Sequence, residues 1–285
     1  MGLSIESCLQ QSAPLNSFAY YLVVFAATVL YYTYAHADDS TPNAKNERSR
    51  WYERNKRVVS YSQIIFTLAF VLAMFFFLKE LPIQLFKMSY YYWCIFSIFP
   101  IVAALYYGIQ SSPSLHKYNL RDTSWLKPFF IGFVWAGAVS VYPVLFADLA
   151  KGAIYQLTFF KILLFIKNFM FITVLCIMFD IKDYAADHNR KLKTFVVRVG
   201  LRKTIFYILL PLCSIGFGTF LIYAFTHHFP FVRIVFNAIP FILLIFVAYS
   251  MSKRKSIIYY LAVIDGLMLV KAICGSLGVI LGSNF

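Results

Sequence analysis

Asp180, Asp183 and Asp187 stand in the stretch MFDIKDYAADHNRKLKT, Met178 to Thr194, where an otherwise apolar chain gathers three carboxylates with a cluster of bases directly behind them. At roughly 100° per residue, positions i, i+3 and i+7 of a helix lie within about 60° of one another, so the three share a face if the helix continues through residue 187. Carboxylates crowded at the end of an apolar helix repel one another and are costly near low dielectric unless a cation neutralises them. Their oxygens are hard ligands suited to Mg²⁺, which typically takes one or two protein carboxylates and fills its shell with water and substrate phosphates. Arg190, Lys191 and Lys193 follow. They suit a diphosphate, whose negative charge exceeds what one Mg²⁺ offsets. A solvated loop explains the bases equally well. It leaves the aspartates without a reason, because acidic residues contribute little to membrane orientation.

The elements that carry these residues follow from composition. In 285 residues, 61% are hydrophobic, 20% aromatic and 13% charged, far more apolar surface than a soluble domain of this size buries. Uncharged or nearly uncharged runs long enough to cross the hydrocarbon as helices occur at approximately 18–35, 60–79, 90–108, 128–148, 156–179, 203–226, 230–249 and 256–283. The runs are continuous rather than alternating, which favours helices over a barrel. The expected fold class is therefore all-α, a polytopic transmembrane bundle formed by residues 1–285 as a single domain.

The formal charge of +14 raises nucleic acid as a partner, and the position of the bases answers it. Four alternate loops hold 19 of the 26 Lys and Arg residues, the intervening loops hold Lys79, Lys87 and Lys151, and Lys161, Lys167, Arg233 and Lys271 lie within runs. That alternation is what the positive-inside rule predicts for eight crossings with the basic loops cytoplasmic and both termini outside. No nucleic-acid partner is needed. The expected setting is a multi-pass membrane protein, its aspartates on the cytoplasmic side.

Residues 1–17 lack the basic region of a signal peptide. They read either as a short external tail or as the end of a helix. Cys8, Cys94, Cys176, Cys213 and Cys274 form no CxxC pair and read as small apolar residues. Lys161 and Arg233 fall near external ends, where they can snorkel. Lys167 and Asp265 lie deeper, and either is expected to line a cavity and touch an acceptor; pairing between helices is the competing reading.

DIKDYAADHNRKLKTFVVRVG resembles the second aspartate-rich motif of the UbiA superfamily of intramembrane prenyltransferases, with Asp180, Asp183, Asp187, Lys193, Thr194, Val197 and Gly200 at matching places and Val196 where a proline is usual. YYTYAHADD, Tyr31 to Asp39, occupies the place of the first motif without satisfying its NDxxDxxxD pattern, leaving His36, Asp38 and Asp39 as remnants. SRWYERNKR and NLRDTSWLKPFFIGFVWAG resemble a bacterial branch that also departs at the first motif. The resemblance implies a nine-helix bundle around a central cavity, eight helices here plus one preceding them. It implies a Mg²⁺-held prenyl diphosphate on Asp180, Asp183 and Asp187, and diphosphate contacts from Arg190, Lys193, Arg121, Lys127 and, less directly, Arg57. The implied reaction transfers the prenyl group to an aromatic or other lipophilic acceptor. The degraded first motif keeps a second reading open, an altered or non-catalytic relative that binds an isoprenoid lipid. A transporter is the third, although no two related halves with broken helices are visible.

Overall fold

In the computed structural model the described residues are 1–37, 51–52, 54–80, 89–107, 124–153, 155–189, 194–253, 255–256 and 259–282. Among them every regular element is helical. In chain order these are α1 (Gly2–Gln10), α2 (Phe18–Ala37), α3 (Lys56–Glu80), α4 (Tyr90–Tyr107), α5 (Lys127–Ala150), α6 (Phe159–Asn189), α7 (Phe195–Val199), α8 (Leu201–Thr226), α9 (Phe231–Ser250) and α10 (Tyr260–Gly282). The helices α3, α5, α6, α8, α9 and α10 are long and apolar enough to cross a membrane, while α2 and α4 supply shorter apolar stretches, Phe18–Thr33 and Tyr90–Leu105. These helices make the chain a multi-pass membrane protein, and each apolar run of the sequence overlaps one of them.

The described residues fall into two compact units. The first comprises those of Asn16–Lys87 and Leu149–Ala153. Here α2 and α3 run antiparallel, with Tyr20 against Phe77 at 5.7 Å and Phe25 against Phe66 at 5.9 Å between ring centroids. The outer side of α3 exposes Tyr61, Ile64, Ile65, Leu68, Leu72 and Phe75. A helix apolar all round is stable in that state only against lipid or another apolar surface.

The second unit holds α1, α4, most of α5 and all of α6–α10. Its core is built on α6, whose Phe171, Leu175 and Met178 are fully buried against Leu209 of α8, Leu244 of α9 and Ile264 of α10. Close approach depends on small residues. A Cβ at Gly132 of α5 would stand 2.1 Å from Thr173 Oγ1 of α6, and one at Gly275 of α10 would stand 2.6 Å from the Glu6 side chain of α1. Such small-residue contacts substitute for the hydrophobic driving force that lipid removes. Among the described residues three π-helical turns occur, Gly137–Val141 in α5, Thr204–Leu209 in α8 and Tyr260–Ile264 in α10.

Two sequence expectations are settled by these elements. Residues 159–189 contain no glycine or proline, and α6 runs unbroken to Asn189, so the helix does continue through residue 187. The external-tail reading of the N-terminus is overturned, because Gly2–Gln10 is a helix packed into the unit with Leu3, Ser4, Glu6, Ser7, Cys8 and Gln10 buried.

Candidate functional site

At 31 residues α6 is about 46 Å long, more than the hydrocarbon thickness, so one end must project. Asp180 lies where it leaves the core. Its residue is 7% exposed, and its Oδ1 stands 3.9 Å from Lys127 Nζ at the start of α5. One turn on, Asp183 is exposed, with Lys182 Nζ at 3.5 Å from its Oδ2. Asp187 belongs to the same helix, and its side chain is outside the described residues.

The walls of this end are set by short elements. A 3₁₀ turn, Ser124–Leu126, delivers Lys127, and Pro128 in the first turn of α5 presets the helix without needing its missing N–H. On the other side, α7 follows Thr194 in an extended conformation and stops at Gly200, whose φ of 91° lies in the region only glycine enters freely. Phe129 and Phe195 meet edge to face at 5.6 Å, and the Arg198 guanidinium lies 5.0 Å over the Trp125 ring. Arg198 is therefore a further base at this end that spacing alone did not single out. Thr194 and Val196 are buried, and the Thr194 hydroxyl has no hydrogen-bond partner among the described residues.

Of the residues expected to handle diphosphate or metal, Asp180, Asp183 and Lys127 are thus placed by described side chains. His36 has its backbone in α2 and its side chain outside the described residues. Asp38, Asp39, Arg121, Arg190 and Lys193 also lie outside the described residues. Among the described residues no three His, Cys, Asp or Glu side chains gather at metal-binding distance.

No known family model, curated protein or solved structure matches the chain. Its chemistry has to be read from its own geometry.

That geometry contains a second polar centre, which sequence reasoning missed. Glu6 of α1 is completely buried. Lys271 Nζ of α10 donates to its Oε2 at 2.6 Å, and Lys167 Nζ of α6 lies 3.8 Å from its Oε1. Around this pair, Lys167 Nζ donates to Asn237 Oδ1 at 3.2 Å, and Gln10 Nε2 donates to the same oxygen at 3.0 Å. Arg233 Nη2 donates to Gln10 Oε1 at 2.7 Å, and Asn168 Nδ2 donates to Ser140 Oγ, within the π-helical turn of α5, at 2.7 Å. Four helices besides α1 contribute to this network, in which Glu6 Oε1, Asn168 Oδ1 and Arg233 Nε have no hydrogen-bond partner among the described residues.

A signal for this centre was present in the sequence. Lys167 and Lys271 are two in-span ammonium groups, and a buried ammonium demands an acid. Asp265 does not supply it; the residue is exposed at the point where α10 passes from π to α geometry. Lys161, expected only to snorkel, is paired with Asp148 at 3.7 Å and lies 4.1 Å over the Tyr155 ring.

Proposed function

We propose that the chain is a UbiA-like, Mg²⁺-dependent prenyltransferase, moving a prenyl group from a polyprenyl diphosphate to an aromatic or other lipophilic acceptor within the membrane. The observation that carries this reading is the unbroken course of α6 through Asp180, Asp183 and Asp187, with Lys127 brought to 3.9 Å from Asp180. Positions 180, 183 and 187 share one face of the unbroken helix, and a set of carboxylates spaced in this way suits Mg²⁺. Asp180, Asp183 and Asp187 would hold the ion, which supplies positive charge to the diphosphate when bound.

The chain's own residues would do the rest. Lys127 offers an ammonium to the diphosphate oxygens, and Arg121, Arg190 and Lys193 belong to the same task. As the allylic carbon–oxygen bond breaks, its electron pair leaves with the diphosphate and these cations stabilise the growing negative charge. The acceptor then attacks the allylic carbon and gives up a proton. In this reading the aspartates face the cytoplasm of a bacterial inner membrane.

The experiment is Mg²⁺-dependent diphosphate release by the purified protein from a panel of prenyl diphosphates. Asp183→Ala and Asp187→Ala are expected to abolish it. Wild type and both variants behaving alike would overturn the catalytic reading. A non-catalytic isoprenoid-binding relative is the second reading. It is favoured by the contrast between a buried Asp180 held near Lys127 and an exposed Asp183 beside Lys182.

A further inference from the structure

Lys167 reaches a cavity of about 160 Å³ bounded by α1, α6 and α8. Leu163, Met170, Phe220, Tyr223 and Phe229 give it apolar walls, and Gln10 and Lys167 bring polar groups to it. Lys167 keeps 14% of its side chain exposed, whereas Lys271 keeps 4%. The two lysines are therefore not equivalent. Lys271 is committed to Glu6 at 2.6 Å, while Lys167 stands at the longer 3.8 Å and borders open space.

Charge accounting gives the cavity its selectivity. Among the described residues the centre holds one carboxylate, Glu6, against the ammonium groups of Lys271 and Lys167, with the Arg233 guanidinium joined through Gln10. Once Lys271 has claimed Glu6, the amide oxygen of Asn237 and a shared carboxylate are what remain for Lys167. A surplus cation in an apolar surround attracts an anion, and one that carries apolar bulk also fills the wall. A space close to one that holds a single benzene ring takes the first carbons of one hydrocarbon chain rather than the paired chains of a phospholipid, and the rest of that chain runs out of the open side.

We propose that this cavity binds a fatty acid, its carboxylate on Lys167 Nζ and its chain along the wall of α6 and α8. The site is separate from the aspartates, since Lys167 and Asp180 are 13 residues apart on one unbroken helix, roughly 20 Å. It stands whether or not the prenyltransferase reading does.

The test uses the whole protein in discs of zwitterionic lipid and a dodecanoate carrying a terminal diazirine, with crosslinked peptides mapped by mass spectrometry. Labelling is expected on the cavity-lining segments of α6 and α8. Unlabelled dodecanoate should compete, dodecanol should compete about tenfold less well, the worth of one charge-assisted hydrogen bond, and acetate should not compete. Lys167→Met should lower labelling by about tenfold or more, and Lys151→Met, in an exposed turn, should leave it unchanged. Thr219→Trp fills the cavity from an exposed position whose hydroxyl bonds only within its own helix, so it keeps the test decisive if Lys167→Met does not fold. Undiminished labelling in Thr219→Trp, labels falling outside the cavity wall, or dodecanol or acetate competing as well as dodecanoate would each overturn the proposal.

Discussion

Removing Lys271 should unfold the polar centre from its most committed contact. Lys271→Met keeps the length and apolar stem of the side chain and deletes the ammonium that stands 2.6 Å from Glu6 Oε2. Breaking a buried ion pair by removing one partner costs about 3–5 kcal/mol, because the other charge is left behind. Lys167 at 3.8 Å partly compensates the stranded carboxylate, so the lower end, about 3 kcal/mol, applies. At about 2–4 °C per kcal/mol, the midpoint of thermal unfolding in mild detergent should fall on the order of 6–12 °C. Glu6→Gln should fall further, since it leaves two ammonium groups beside a neutral amide with no acid between them. The double variant Glu6→Gln/Lys271→Met should be less damaged than the two single losses summed, by at least about 1 kcal/mol, because it removes one charge of each sign. A Lys271→Met midpoint equal to that of wild type, or strict additivity in the double variant, would refute the pairing on which this reasoning rests.

Three further predictions address other links. Gly275→Ala should lower the same midpoint, because its Cβ would stand 2.6 Å from Glu6, an overpacking cost of about 1–3 kcal/mol, whereas Gly266→Ala meets nothing within 4 Å and should gain up to about 1 kcal/mol of helix propensity. Lys127→Met should change stability by about 1 kcal/mol or less, its ammonium being half exposed and 3.9 Å from Asp180, yet should weaken Mg²⁺-dependent diphosphate release. In a background without the five native cysteines, Lys151→Cys should react with an impermeant maleimide in intact cells and Lys253→Cys only after permeabilisation; the reverse pattern would invert the topology expected from the charge distribution.

What the sequence made legible divides along physical lines. The apolar runs were readable because a bilayer forces every backbone group to bond within its own segment, which writes each crossing as a long uninterrupted stretch. The course of α6 was readable from the absence of glycine and proline between Phe159 and Asn189. The shared face of the aspartates was also readable, but not their surroundings. Asp180 is buried beside the start of α5 and Asp183 is exposed one turn later, a difference set by tertiary packing. A helix end is one of two readings of residues 1–17, but its buried packing was not legible, because nine residues are too short for a crossing and the Ser, Glu and Gln content looks like that of a solvated tail. Only the charge ledger of Lys167 and Lys271 pointed to it. Arg198 was hidden for a related reason, since its position depends on a Trp125 contact from a distant part of the chain.

The two polar centres of α6 are energetically separable, and this follows from its length. Over roughly 20 Å of helix between Lys167 and Asp180, two unit charges at an effective dielectric of about 20 interact by less than about 1 kcal/mol. The segment between them is the packed core of the unit, with Phe171, Leu175 and Met178 fully buried. A charge change at Lys167 or Glu6 therefore reaches the aspartates through stability and packing, not through a field. Variants of the Glu6 centre that still fold should keep whatever Mg²⁺ dependence the aspartate end has. Variants of Asp183 and Asp187 should in turn leave dodecanoate labelling at the far cavity intact. A variant at one end that altered ligand preference at the other without changing the unfolding midpoint would require a path through the α6 core that its rigid, fully buried side chains do not offer.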